Sequence, residues 1–144
     1  IPSFNSTIQD ETPISDQSMR GQQWGMFFYG QDDTPTCTKQ ACSVGDSNNK
    51  IKALGYNVIG ISKDNAKKHQ KFIDKYKLPY PIIVDVETSI MRSFGLFGPK
   101  IFMGKEVEGI YRAAIVFDKN GVVTHVIEDI KSEEYGQEIL KVIS

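Results

Sequence analysis

Trp24-Gly25-Met26-Phe27-Phe28-Tyr29, followed by the loop Gly30-Gln31-Asp32-Asp33-Thr34-Pro35 and a helix start at Pro35-Thr36-Cys37, decides how this chain is read. The first part is a continuous apolar run of strand length, the pattern of a strand buried on both faces. The loop carries Gly, Asp and Pro, which break regular structure. A helix is predicted from Pro35 to Cys37 toward Leu54, with Ala41, Val44, Ile51 and Leu54 facing inward and Gly55 ending it. Gly45 and the pair Asn48-Asn49 are poor helix formers, so this helix is expected to be soft or broken there.

Downstream, Tyr56-Asn57-Val58-Ile59-Gly60-Ile61 reads as a second buried strand. Ser62 or Asp64 is expected to cap a helix from about Asn65 to Lys77, with Ala66, His69, Phe72, Ile73 and Tyr76 on one face. Pro79 and Pro81 stop it, and Ile82-Ile83-Val84 makes a third strand. A short helix is expected from Glu87 to Phe94. Ile110 to Phe117 and Val122 to Ile127 then form a hairpin about Asp118-Lys119-Asn120-Gly121. Ser132 is expected to cap a closing helix carrying Ile139, Leu140 and Ile143. Upstream, Ser3-Phe4-Asn5-Ser6-Thr7-Ile8 alternates as edge strands or a hairpin do. The fold class is therefore α/β, a mixed central sheet flanked by helices with an N-terminal β-hairpin.

The chain has 144 residues, room for a single domain with a good core, and neither an internal repeat nor a linker is visible. With 40% hydrophobic and 24% charged residues, disorder is excluded. A net charge of -1 gives no footprint for nucleic acid and no basic face for a membrane. No apolar run approaches the roughly 18 residues that span a bilayer. The chain starts Ile1-Pro2-Ser3 without the charged and apolar regions of a signal peptide. A cytoplasmic protein is expected, with secretion or a periplasmic home left open by a signal removed ahead of residue 1.

The only two cysteines are Cys37 and Cys42. That is too few for a disulfide scaffold, and by count alone inert thiols, one local bridge and a redox pair all stay open. Placement favours reactivity. Cys37 follows a buried strand and enters the first turn of a helix, where free amides and the helix dipole favour a thiolate. Ionisation alone gains little. An ordinary thiol is roughly 3% ionised at pH 7, so lowering its pKa to about 6 gains about 30-fold, and reduced nucleophilicity returns roughly 10-fold. A fast reaction needs fixed donors for the charge that develops on the leaving oxygen. The Thr34 hydroxyl and the backbone amides of Thr36 and Cys37 are candidates, and Pro35 stiffens the turn. Arg112 is the candidate cation, because an Arg opening the apolar strand Ala113-Ala114-Ile115-Val116-Phe117 is costly unless its charge is engaged. An exposed strand end is the competing reading of Arg112.

Thr34-Pro35-Thr36-Cys37-Thr38-Lys39-Gln40-Ala41-Cys42 closely resembles the signature of peroxiredoxins of the bacterioferritin comigratory protein (Q-type) branch. The resemblance extends through Phe28-Tyr29, Gly60-Ile61-Ser62-Lys63-Asp64, His69-Gln70-Lys71-Phe72, Lys75-Tyr76, Leu78-Pro79-Tyr80-Pro81 and Gly109-Ile110-Tyr111-Arg112. It implies a thioredoxin-like fold and reduction of hydrogen peroxide and organic hydroperoxides. It implies that Cys37 is the peroxidatic cysteine, passing through a sulfenic acid, with Thr34 and Arg112 activating it and the backbone of Pro35 and Thr36 bordering the substrate. Cys42 falls on the resolving cysteine of one subset, and thioredoxin or a similar thiol donor is the implied reductant. No cofactor and no metal is implied, and a monomer or weak dimer is expected. Three positions depart from the family pattern: Gly30 stands for a usual Pro, Gly45 for a usual Arg and Lys50 for a usual acidic residue.

Residues five apart on an ideal helix are separated by about 7.5 Å along the axis and rotated by about 140°, beyond the roughly 7 Å reach of a disulfide. A Cys37–Cys42 bond therefore requires the first turns to unwind. Without it the chain would be a one-cysteine peroxidase recycled by an external thiol. A thioredoxin-type disulfide exchanger would want Cys-x-x-Cys and a Pro ahead of the opposing strand, and Gly109-Ile110-Tyr111-Arg112 has none. A metal carrier is a poor fit to two thiols, since His69 and His125 read as structural.

Overall fold

The computed structural model describes residues 1–144, the side chain of residue 102 excepted. Strands β1 (Asn5–Thr7) and β2 (Pro13–Ser15) form the antiparallel N-terminal hairpin, and a short helix α1 (Asp16–Met19) follows. Ser15 caps α1 and its bond with Ser18 is reciprocal, which satisfies two orphan donors. The central sheet comes next: β3 (Gln23–Phe28), α2 (Pro35–Ala53), β4 (Tyr56–Ser62), α3 (Ala66–Tyr76) and β5 (Ile82–Val84). After α4 (Ser89–Ser93) the chain makes two antiparallel pairs, β6 (Phe97–Phe102) with β7 (Lys105–Ile110), then β8 (Ala113–Phe117) with β9 (Val123–Glu128). A 3₁₀ turn (Ser132–Glu134) leads into α5 (Tyr135–Ile143).

The central sheet has the order β5-β4-β3-β8-β9. Strands β3, β4 and β5 run parallel, and β8 and β9 are antiparallel to their neighbours. This is the expected mixed sheet. Alternation along β3 sorts its side chains onto two faces. Phe27 joins a core with Tyr29 (just beyond the strand), Ala41, Val44 and Ile51 of α2, Phe72 of α3 and Ile139 of α5. Met26 and Phe28 join a second core with Met19 of α1 and Ile90 and Met91 of α4. The continuous apolar run is thus explained by burial on both sides.

Five expectations are corrected. Leu54, expected to face inward, is exposed at the end of α2 at 44%. Helix α2 runs unbroken through Gly45 and Asn48-Asn49. A Cβ at Gly45 would lie 3.3 Å from Pro79, so the glycine lets α2 lie close against the 78–80 segment, and packing overrides weak propensity. Helix α3 is capped by Asn65, whose Oδ1 accepts from Lys68, not by Ser62 or Asp64. Ser132 is the first residue of the 3₁₀ turn and does not cap α5, whose N-cap is Glu134. Lastly, the strand expected from Ile110 begins only at Ala113, because Ile110 closes the β6–β7 hairpin that the sequence hid. That hairpin contains Gly98, Pro99, Gly104 and Gly109 and is largely exposed, so it lacks an alternating signature.

Candidate active site

The site forms where the chain leaves the carboxyl end of β3, between its parallel neighbour β4 and its antiparallel neighbour β8, a natural place for a crevice in such a sheet. Thr34 is the residue before α2, with extended φ/ψ, and Pro35, exposed, takes the first helical position. The Thr38 amide bonds the Thr34 carbonyl at 2.8 Å. The amides of Thr36 and Cys37 therefore precede any carbonyl of the helix able to accept them. Cys37 is buried in this first turn and is one of the residues lining a cavity of about 280 Å³.

Strand register brings in the cation. Phe28 at the end of β3 pairs with Ala113 at the start of β8, so Arg112 emerges beside the β3–α2 loop. Its Nη1 lies 3.2 Å from Cys37 Sγ and 2.7 Å from Gln40 Oε1. The exposed-end reading of Arg112 is therefore replaced by an engaged one. Gln40, fully buried, turns its Nε2 to the Phe28 carbonyl at 3.2 Å, so it ties the guanidinium to the end of β3. The Tyr135 hydroxyl donates to the Arg112 carbonyl at 3.1 Å, and burial pushes that phenol up to about 12.

Burial pushes the Cys37 thiol up, but hydrogen bonds from the Thr34 hydroxyl and the Gln31 backbone, followed by the Arg112 guanidinium, outweigh it. The thiol ends below its ordinary value. The Thr34 hydroxyl has one proton and two acceptors, the Gln31 carbonyl at 3.2 Å and the sulfur. An anionic sulfur is the stronger acceptor, so ionisation of Cys37 draws that proton toward it.

The cavity is walled by Gly30, Gln31 and Thr34 from the loop, Lys63 beyond β4, and Phe97, Lys100, Val107, Gly109 and Ile110 from the hairpin. A Cβ at Gly30 would lie 3.2 Å from Ile110 Cγ2, so glycine here leaves the cavity open. Thr36 faces a neighbouring groove of about 720 Å³ that it lines with Lys39, Arg112 and Tyr135. Cys42 sits in the same unbroken helix as Cys37, and both are free thiols. Cys42 faces a different, small groove with Gly45, Asp46 and Pro79, and burial, then Asp46, pushes its thiol up. Thr34, Cys37 and Arg112 are thus brought together, and Cys42 is held apart.

Sequence reasoning passed over Gln40, the Gln31 backbone and the hairpin wall. Gln40 had a signal: it lies three residues after Cys37, hence on the same helix face. The hairpin had none.

Residues 1–126 match the AhpC/TSA family. The chain belongs to that family. This peroxiredoxin is 33% identical over 139 residues to "Peroxiredoxin Bcp" of Escherichia coli K12, covering 96% of this chain and 89% of the relative. It is 37% identical over 143 residues to "Peroxiredoxin Q, chloroplastic" of Oryza sativa subsp. japonica, covering 99% of this chain and 64% of that one. Its fold matches a solved Xanthomonas campestris peroxiredoxin Q at a TM-score of 0.91 and 23% identity, over 97% of this chain and 89% of the other. The fold is thioredoxin-like and the enzyme is a thiol-dependent peroxidase of the Bcp/Q kind. Among the described residues no helix is long and apolar enough to cross a membrane.

Proposed function

We propose that this peroxiredoxin reduces hydrogen peroxide and organic hydroperoxides through Cys37. The observation that carries the reading is the Arg112 Nη1 to Cys37 Sγ contact of 3.2 Å at the mouth of a helix, opening on the cavity. The Cys37 thiolate attacks the terminal peroxide oxygen, the O–O bond breaks, and the leaving oxygen departs as water or an alcohol after taking a proton. Arg112, Thr34 and the free amides of Thr36 and Cys37 stabilise the charge that moves from sulfur to the leaving oxygen. Cys37 is left as a sulfenic acid.

Cys42 then resolves it, its thiolate displacing water to form an intramolecular disulfide, and a thioredoxin-like donor reduces the product. This requires the start of α2 to open, which breaks the 2.7 Å bond from the buried Tyr80 hydroxyl to the Ala41 carbonyl. The test is mass spectrometry after one equivalent of hydrogen peroxide without reductant. The wild-type chain is expected to lose two hydrogens, and Cys42→Ser to gain one oxygen at Cys37. A wild-type chain that keeps the oxygen has a one-cysteine cycle, the reading favoured by the unbroken helix. A chain that consumes no peroxide overturns both.

The two thiols predict different responses to pH. Cys37 is held below its ordinary value, so its oxidation rate should reach its plateau at lower pH than that of an ordinary thiol and fall as pH drops through that lowered value. Cys42 is pushed up, so it is protonated at neutral pH, and disulfide formation should rise about tenfold per pH unit until it ionises. Quenched-flow trapping of the sulfenic acid separates the two steps. A disulfide step flat with pH would count against Cys42 as the attacking thiolate.

A further inference from the structure

Two consecutive aspartates tie the Cys37 loop to α3 by opposite routes. Asp33, exposed and at φ 61°, accepts from Lys75 Nζ and the Tyr76 hydroxyl, each at 2.7 Å. Asp32 turns inward, and its side chain is 2% exposed. Its Oδ1 accepts from the Tyr29 hydroxyl at 2.5 Å, and its Oδ2 lies 2.7 Å from His69 Nδ1. The Asp32 amide donates to Asp64 Oδ2 at 2.6 Å. His69 is fully buried, and its Nε2 lies 3.1 Å from the Ile83 carbonyl. A carbonyl oxygen only accepts, so Nε2 carries a hydrogen; the short Nδ1–Oδ2 contact needs a second proton between the two atoms. With these bonds made, Tyr29, Asp32 and His69 form a satisfied buried network, which is stiff.

The cysteine chemistry depends on the neighbours of Asp32. Gln31 precedes it and Thr34 follows two residues later; both line the cavity with Cys37, and both act to lower the pKa of its thiol. Ahead of Gln31 stands Gly30, which adds no rigidity of its own. We propose that His69 is a positioning residue for Cys37: acting through Asp32, it fixes Gln31 and Thr34 against the sulfur and stiffens the loop that Gly30 leaves free. The proposal rests on Cys37 being the peroxidatic thiol. Its first readout, however, is alkylation, which reports on the sulfur whether or not peroxide is the substrate.

The experiment follows alkylation of Cys37 by iodoacetamide against pH, with each cysteine read separately by mass spectrometry, alongside peroxide kinetics and thermal unfolding. His69→Leu removes both bonds. It is expected to move the Cys37 alkylation midpoint upward and to lower the rate constant with hydrogen peroxide by roughly tenfold or more, the scale of a small misplacement of reacting groups. His69→Asn, whose carboxamide N–H can still donate to Asp32, is expected to restore most of both. A folded His69→Leu chain with the wild-type midpoint and rate constant overturns the proposal. Should His69→Leu not fold, Asp32→Ala removes the link from the other end, and a wild-type midpoint there overturns it equally. A shifted midpoint in a chain that reduces no peroxide would leave the positioning intact and remove the peroxidase reading instead.

Discussion

Cys37→Ser is expected to reduce no peroxide above the uncatalysed rate, with the fold intact. A serine hydroxyl is not ionised at neutral pH, and its oxygen cannot carry the sulfenic acid that stores the transferred oxygen. Sulfur and oxygen are close in size, so the buried first turn and its cavity are preserved. Arg112→Met isolates the other half of the site. The thiol stays, but the guanidinium 3.2 Å from it is gone and Gln40 loses its partner. Removing one donor of this kind costs about 10²–10³ in rate, so oxidation should slow by about that factor. Stopped-flow peroxide consumption measures both. Full activity in Cys37→Ser would refute the site assignment, and an unchanged Arg112→Met would leave Arg112 a structural ion.

Gly136→Ala is expected to produce the largest loss of stability for a single methyl. A Cβ at Gly136 would lie 2.0 Å from the Ser43 carbonyl oxygen and 2.8 Å from Ser47 Oγ. The nearest atom is helix backbone, which cannot swing aside as a side-chain tip can. The same spot holds two bonds, from the Gly136 amide to Ser43 Oγ at 2.9 Å and from that hydroxyl to the Glu133 carbonyl at 2.7 Å. Relief requires α5 to lift from α2, which uncovers Ile139 and carries Tyr135 away from Arg112. Overpacking costs about 1–3 kcal/mol and more where backbone must move, so about 3 kcal/mol or more is expected here. For a domain of this size that lowers Tm by roughly 10 °C, read by calorimetry. A Tm within a degree or two of wild type would mean that α5 is not seated as described.

What the sequence shows clearly follows from periodicity and turn chemistry. Phe27 and Phe28 announce a strand buried on both faces, and Asp118 with Gly121 announces the β8–β9 turn, whose Asp118 side chain indeed accepts from Asn120 and Val122. Thr34 and Cys37 are legible because a helix start concentrates amides. The β6–β7 hairpin is not legible: its outer residues Ile101 and Met103 are exposed, Met103 at 88%, so no burial constraint imposes a pattern. Distance also hides things. Arg112 and Gln40 meet only because β8 pairs with β3 in one register, and Asp32 meets His69 only because α3 crosses back over the loop. Such pairings depend on long-range geometry, which local residue order does not encode.

The contact of Ser43 with Gly136 and Glu133 has a further consequence for α2. It lies one residue past Cys42, so it works as a stop. The unravelling from Pro35 that the proposed disulfide requires would free both cysteines and then meet a residue held to the 133–136 segment by two hydrogen bonds. In the proposed two-cysteine cycle the part of the helix that moves would thereby be bounded by the residue after Cys42, and the remainder, with Val44 and Ile51 in the core, would stay folded as the ground against which the disulfide closes. A turnover that must open and reseal many times is safer with a fixed end than with a helix free to melt throughout.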